Sequence, residues 1–367
     1  MHENRKKKLM RIAAIGAAGG LCVLGFALYV MSIRSPEGPP QSDMTLDPAM
    51  RKDLIEAVVS RMSRHYVFPE KAAAVEKLLR TQLQDGNYDS VTSAQAFAEA
   101  LTDALQRNTG DRHLLVRYSE KTISERSPDQ DASPEEKAEE LLQQRRLNFG
   151  FESVGRLRGD LGYIDLHAFG RPQQTAERIA AAMRLLNDTS ALIVDLRKCG
   201  GGDPETVMLF ASYLFDKPTH LNDIYWRDEN RIEERWTQAD VPGGKYGETR
   251  KVYLLTSSDT FSGCEDFAYA LKNIGRATLI GETTGGGAHA GSPQRLSAHF
   301  MMFVPSGRPI NPVTHTDWEG VGVAPDIKTP AKNALAVAHV AALKELVATE
   351  TDPDWKRRLE HTLADLD

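Results

Sequence analysis

The spacing of hydrophobic residues changes along the chain. Between residues 47 and 107 they recur at helical spacing, as Leu54, Val58 and Met62 do, which predicts a small helical region. Three helices are expected in this region, each with a proline or a capping residue at its start. Their predicted ranges are 47–65, 69–83 and 93–107.

From Leu161 onward, short apolar runs with the length of buried strands alternate with helical patterns. This alternation predicts a layered α/β domain. Strands are predicted at 114–118, 161–167, 191–196, near Ile224, near Val252, and at 277–280, 300–304 and 321–323. Helices are predicted at 173–186, 204–215, after Ser262, and at 330–349.

The N-terminus combines a basic block, MHENRKKKLMR, with an apolar run over residues 12–33. About 20 apolar residues can span a bilayer as a helix, and a basic flank stays in the cytoplasm. Because no A-x-A cleavage site ends the run, the pattern favours an uncleaved signal anchor over a signal peptide. We therefore expect a single-pass inner-membrane protein whose folded part lies in the periplasm.

These patterns divide the chain into six segments. They are a basic tip and transmembrane anchor (1–34), a linker (35–46), an N-terminal helical domain (47–109), a turn with a charged connector (110–160), an α/β domain (161–349) and a C-terminal tail (350–367).

Composition excludes several classes of function. The chain has 367 residues with 41% hydrophobic and 26% charged content, which is ordinary for a globular protein. Its net charge of −6 leaves no basic patch, so a nucleic-acid partner is not expected. Neither a Cys/His metal spacing nor a glycine-rich phosphate motif is present, so no metal or nucleotide cofactor is predicted.

Ser262 follows a short apolar run and a polar loop, and it precedes a helical pattern. At such a junction, the N–H groups and the positive dipole end of the helix stabilise developing negative charge, which suits a nucleophile. A purely structural role is the alternative, because Ser262 and Glu265 fit the S-x-x-E capping box.

A second candidate segment is the triple glycine 200–202, which follows the apolar run 191–196. Glycines let backbone N–H groups approach a ligand, so this turn could form part of an oxyanion hole. A plain strand–helix turn is the alternative. A base would have to come from a distant segment, and the candidates are His113, His289, His299 and His315.

Four motifs in order resemble the tail-specific, or C-terminal-processing, serine peptidase superfamily. They are DLRKCGGG (195–202), TSSDTFSGCE (256–265), GETTGGG (281–287) and EGVGVAPDI (319–327). HYVFP (65–69) and DRHL (111–114) are similar to the branch that contains the modules of interphotoreceptor retinoid-binding protein and the tricorn core protease. The resemblance implies a crotonase-like (ClpP-like) layered α/β core.

The resemblance also implies a role for each matching residue. The nucleophile is Ser262, the oxyanion hole is formed by Gly263 with Gly200 and Gly201, the base is His113, and its acidic partner is Glu319.

Two departures from the family pattern change this assignment. Tail-specific peptidases pair the serine with a lysine, but the matching position here is Glu282, which excludes a Ser-Lys dyad. Arg112 precedes His113 where the tricorn site has a serine, so Glu319 has a second candidate partner. Asp111 is then an alternative orienter and His289 an alternative base.

Cysteine stands at positions 199 and 264, where the family usually has asparagine and a small residue. In an oxidising periplasm these two could form a disulfide that clamps the site, which requires a Cα–Cα separation below about 7 Å. Two independent buried thiols are the alternative.

The sequence thus predicts a serine-type peptidase that cleaves a peptide or protein substrate through an acyl-enzyme. A non-catalytic binding protein for apolar or peptide ligands on the same fold is the alternative, and an inactive scaffold is a third interpretation.

Overall fold

The computed structural model describes residues 41–125 and 133–366. These residues form two compact units. The first holds the described residues up to Glu139 together with Trp226–Arg231 and His289–Arg308, and the second holds Glu140–Tyr225, Ile232–Ala288 and the described residues from Pro309. Both units are therefore built from separate stretches of the chain.

The helices are α1 (Pro48–His65), α2 (Pro69–Gln84), α3 (Ala94–Thr109), α4 (Pro134–Arg146), α5 (Pro172–Leu186), α6 (Pro204–Ser212), α7 (Gly263–Asn273), α8 (Ala334–Thr349) and α9 (Pro353–Ala364). The strands are β1 (Leu115–Tyr118), β2 (Phe151–Leu157), β3 (Leu161–Leu166), β4 (Ala191–Asp195), β5 (Asp223–Trp226), β6 (Arg231–Glu233), β7 (Lys251–Thr256), β8 (Thr278–Gly281), β9 (Ala290–Arg295), β10 (Phe300–Ile310) and β11 (Ile327–Lys328).

In the first unit, the three predicted helices α1, α2 and α3 are confirmed. The side chains of Asp47 and Ser93 accept hydrogen bonds from the first turns of α1 and α3, as capping residues should. Helix α3 ends at Gly110, whose φ of +75° suits glycine. Strand β10 pairs antiparallel with both β1 and β9.

The second unit is a layered α/β fold, as predicted. Its six-stranded sheet has the order β11-β8-β7-β4-β3-β2, and only the β2–β3 pairing is antiparallel. Side chains alternate along the central strands, so Leu192 and Val194 pack into the core with α5, α6 and α7. Ile193 and Tyr253 pack on the other face with α8 and α9.

The candidate site depends on the pairing of β4 with β7. These strands are parallel and in register, with Asp195 opposite Leu255. The loops that follow them, which carry the triple glycine and Ser262, therefore emerge side by side at the carboxyl ends of the strands. Open α/β sheets bind their ligands at this edge.

Several predictions need correction. Residues 321–323 form a turn and irregular backbone and not a strand, because Gly320 and Gly322 adopt left-handed φ values of +71° and +72°. Residues 353–364, placed in a tail, form α9, which Asp352 caps. Strands β2 and β9 were missed, because Ser, Gly, Pro, Gln and Arg break their apolar alternation.

The predicted anchor, residues 12–33, lies outside the described residues. Across the ranges 41–125 and 133–366, none of the helices has both the length and the apolar character needed to cross a bilayer. The predicted borders of the six segments stay predictions.

Candidate active site

Ser262 lies at the junction of the loop after β7 and helix α7, as the sequence predicted. Its backbone has φ +52° and ψ −123°, a region that residues other than glycine rarely adopt. The Ser262 N–H donates to Glu265 Oε2 at 2.8 Å, so the glutamate half of the predicted capping box is present. The junction holds a strained serine at the N-terminus of a helix.

The triple glycine packs directly against this junction. A Cβ atom on Gly201 would lie 2.8 Å from the Cβ of Ser262, and one on Gly263 would lie 3.1 Å from the backbone nitrogen of Gly202. The distance at Gly201 is too short for a side chain, and the distance at Gly263 leaves very little space for one. The structure therefore brings together the two loops that the sequence predicted as nucleophile and oxyanion hole.

The backbone N–H groups of the triple glycine point to different acceptors. The N–H of Gly200 donates to the His167 carbonyl at 3.0 Å, and the N–H of Gly201 donates to Cys264 Sγ at 3.0 Å. Within the part of the chain that the structure describes, no hydrogen bond occupies the N–H of Gly202 or Gly263. Gly202 was not among the residues that the sequence predicted for the oxyanion hole, although it belongs to the same triple glycine.

Cys199 and Cys264 join the same two loops. Their sulfur atoms are at disulfide distance, their Cα atoms are 5.9 Å apart, and both side chains are fully buried. This Cα–Cα separation lies below the limit of about 7 Å for a disulfide.

Glu265 accepts hydrogen bonds that connect Ser262 to residues 284–287. Besides Ser262, its donors are the Thr284 hydroxyl at 2.5 Å, the Gly286 N–H at 2.7 Å and the Gly287 N–H at 2.9 Å. Burial raises the pKa of the Glu265 carboxyl to about 7, and these hydrogen bonds oppose the rise.

Glu319 lies in the second unit and binds the backbone of the residue that follows Gly287. It accepts the N–H of Ala288 at 2.5 Å. The preceding residue, Trp318, is buried and donates through Nε1 to the Gly287 carbonyl at 2.9 Å. Residues 286–288 are thus fixed by two carboxylates and an indole.

In the first unit, Asp111 orients His289 and not His113. Asp111 Oδ2 lies 2.6 Å from His289 Nδ1 and accepts the Tyr66 hydroxyl at 3.2 Å. The His113 backbone N–H donates to Oδ1 at 3.0 Å, but the His113 ring nitrogen Nδ1 is 4.0 Å from that oxygen. Burial works to raise the pKa of Asp111, but the hydrogen bond and charge of His289 lower it overall.

His113 is fully buried and its ring lies against Phe303, with centroids 5.8 Å apart. Burial lowers the pKa of His113 to about 4, although the charge of Asp111 opposes the shift. The ring is therefore neutral near pH 7. Of the other candidates, His299 bonds the Ser119 carbonyl at 3.0 Å and His315 is an exposed turn residue.

The sequence-predicted site residues thus fall into two sets. The second unit brings together Ser262, the triple glycine and the cysteine pair, and it also holds Glu319. The first unit brings together Asp111, His113 and His289.

The chain is similar to known families and proteins. The sequence profile of peptidase family S41 matches residues 160–329, and that of the N-terminal domain of this family in eukaryotic IRBP matches residues 44–148. Carboxyl-terminal-processing peptidase 2 of Arabidopsis thaliana chloroplasts is 31% identical over 172 residues, which are 46% of this chain and 32% of that protein. Peptidase 3 from the same source is 26% identical over 174 residues, 47% of this chain and 32% of its own length. The chain thus matches about a third of the length of these curated relatives.

Solved structures support the same fold. A lipoprotein from Streptococcus agalactiae superposes with a TM-score of 0.53 at 13% identity, covering 84% of this chain and 100% of its own. Mature CPAF superposes with a TM-score of 0.51 at 12% identity, covering 81% of this chain and 97% of its own. At these identities the likeness establishes the fold.

Proposed function

Because the chain belongs to peptidase family S41, we propose that it is a serine peptidase that cleaves peptide bonds through an acyl-enzyme on Ser262. One observation carries the proposal: a strained serine at a helix N-terminus packs against a glycine loop, and two backbone N–H groups beside it have no acceptor in the described structure. In this proposal the layered core is of the crotonase-like (ClpP-like) type.

The proposed reaction begins when an imidazole takes the Ser262 hydroxyl proton and Oγ forms a bond to the substrate carbonyl carbon. The displaced electron pair moves to the carbonyl oxygen, where the N–H groups of Gly263 and Gly202 stabilise the charge. Collapse breaks the C–N bond, and the amine leaves with the proton from the imidazolium. Water then takes the place of the amine, and the same steps in reverse order transfer the acyl group from Oγ to water and return the proton to Ser262.

Two histidines are candidates for the base. The family motif assigns His113, with Glu319 as its acidic partner. Hydrogen bonding favours His289, because a carboxylate accepts from Nδ1 and the lone pair of the neutral ring then lies on Nε2. His289 also follows Gly287 by two residues, and the Gly287 N–H donates to the glutamate that binds Ser262.

A non-catalytic binding protein is the weaker alternative, because such a protein has no need of a strained serine beside unoccupied N–H donors. The substrate in the proposal is a peptide or protein. Cys199 and Cys264 would then clamp the oxyanion loop to the nucleophile's helix as a disulfide.

For location, we propose that residues 12–33 anchor the chain in the inner membrane with the folded part in the periplasm. The basic flank and the apolar length support this orientation. An oxidising periplasm also agrees with the paired cysteines.

The test of the peptidase function is labelling with a fluorescent alkyl fluorophosphonate, followed by peptide mapping. We expect one label, on Ser262, that disappears in Ser262→Ala. His113→Asn and His289→Asn should separate the two bases, since the variant that lacks the base should label roughly 100-fold more slowly or worse. Absence of Ser262-dependent labelling in the folded wild type would contradict the proposal and favour a binding protein.

A further inference from the structure

Glu265 has no part in the chemical steps above, yet it makes more hydrogen bonds than any capping role requires. Its side chain is fully buried. Each carboxylate oxygen accepts two bonds: Oε1 from Thr284 Oγ1 and Gly286 N–H, and Oε2 from Ser262 N–H and Gly287 N–H. A buried carboxylate is costly unless it is satisfied in this way.

We propose that Glu265 is a positioning residue for the nucleophile, whose carboxylate fixes the backbone of Ser262 against residues 284–287. The proposal rests on the proposed peptidase function, because positioning matters only if Ser262 reacts. Ser262 has a φ of +52°, which is strained and persists only when surrounding contacts hold it. The bond from its N–H to Glu265 is such a contact.

This positioning of Ser262 requires the ionised form of the Glu265 carboxylate. The Thr284 hydroxyl accepts the Val323 N–H at 2.7 Å, so its own proton points to Glu265. The other three partners are backbone N–H groups, which can only donate. A protonated carboxyl or a glutamine amide would therefore place its own hydrogen-bond donor against one of these four donors.

The groups that donate hydrogen bonds to the carboxylate are uncharged. All four of its hydrogen-bond partners in the described structure are neutral donors. The neighbouring acid, Asp266, points elsewhere and pairs with Arg235 at 3.2 Å. Since burial raises the pKa of Glu265 to about 7, the reactivity of Ser262 should fall as the pH drops below that value.

The experiment measures the second-order rate of fluorophosphonate labelling from pH 5 to 9 in the full-length protein. Glu265→Gln should label about 10-fold to 100-fold more slowly, since small misplacements of reacting groups have effects of this size. Its profile should also lack the contribution of Glu265 to the acid limb near pH 7, while any limb from protonation of the imidazole base should remain. Glu205→Gln is the matched control, because Glu205 is an exposed glutamate in the first turn of α6; it should label within about 2-fold of wild type.

A second variant covers the case in which Glu265→Gln does not fold, as judged by circular dichroism. The Thr284 hydrogen bond lowers the pKa of Glu265, so Thr284→Val should move the acid limb to higher pH. Wild-type labelling rates and an unmoved acid limb in the folded variants would overturn the positioning role. Failure of wild type to label at Ser262 would instead overturn the peptidase function.

Discussion

At the residue scale, the site combines two features that do not favour stability. Ser262 is held at a positive φ, and Glu265 is buried with a pKa of about 7 in place of 4.5. A carboxyl with a raised pKa favours folding below its unfolded pKa, and that contribution is lost as the pH rises through 7. Ionisation of Glu265 near neutral pH thus lowers the free energy of unfolding. Such a cost is expected of a residue that has a function.

His113 shows the opposite linkage. Burial lowers its pKa from 6.5 to about 4, so its contribution to stability is present above pH 6.5 and is lost as the pH falls through 4. The sequence could not reveal either shift, because both come from burial by residues far away in the chain.

Gly201 should be indispensable for the reactivity of Ser262. Gly201→Ala would place a Cβ 2.8 Å from the Cβ of Ser262, at a φ of +120° that other residues avoid. We expect the labelling rate to fall at least about 100-fold. The free energy of unfolding, measured with urea, should fall by roughly 2–4 kcal/mol.

The control is Gly275→Ala, which also has a positive φ, +76°, but has nothing within 4 Å of the new Cβ. It should be destabilised by about 1 kcal/mol and label normally. Equal labelling of the two variants would mean that the close contact at Gly201 has no functional importance.

At the scale of elements, the sequence predicted the two loops of the candidate site but not their hydrogen bonds. The apolar run before each loop predicted β4 and β7, and the parallel pairing of these strands brought the loops together. To predict which of the three glycines could donate to an oxyanion, one must know where each N–H points. The N–H of Gly201, for example, donates to Cys264 Sγ. Local pattern carries no information about such directions.

The link between these loops predicts a specific thiol count. If Cys199 and Cys264 form the disulfide, iodoacetamide in denaturant should modify one cysteine, Cys22, before reduction and three afterwards. Cys199→Ala/Cys264→Ala should lose about 4 kcal/mol of unfolding free energy, because the bond closes a loop with a sequence separation of 65.

Cys22→Ser is the control and should leave the unfolding curve unchanged, since Cys22 lies in the predicted anchor. Three modified cysteines without reduction, in protein purified from an oxidising compartment, would contradict the disulfide.

At the scale of the whole molecule, the sequence predicted a helical region and an α/β domain, and both exist. It did not predict that His289–Arg308 and Trp226–Arg231 belong to the first unit. Residues 300–303 pair with β1, which lies far away in the chain. Such long-range pairing leaves no local signal, so the alternation pattern placed these residues in the α/β domain.

The proposed anchor can be tested in a Gram-negative host. The full chain should stay in the membrane pellet after alkaline carbonate extraction, and added protease should reach its folded part in spheroplasts. Leu21→Arg/Leu24→Arg should release it from the pellet, because each arginine at the centre of a membrane helix costs about 2.5–3.5 kcal/mol. Glu37→Arg, a matched change in the linker, should leave it membrane-bound. A wild-type chain that carbonate extracts as readily as the double-arginine variant would show that residues 12–33 do not hold it in the membrane.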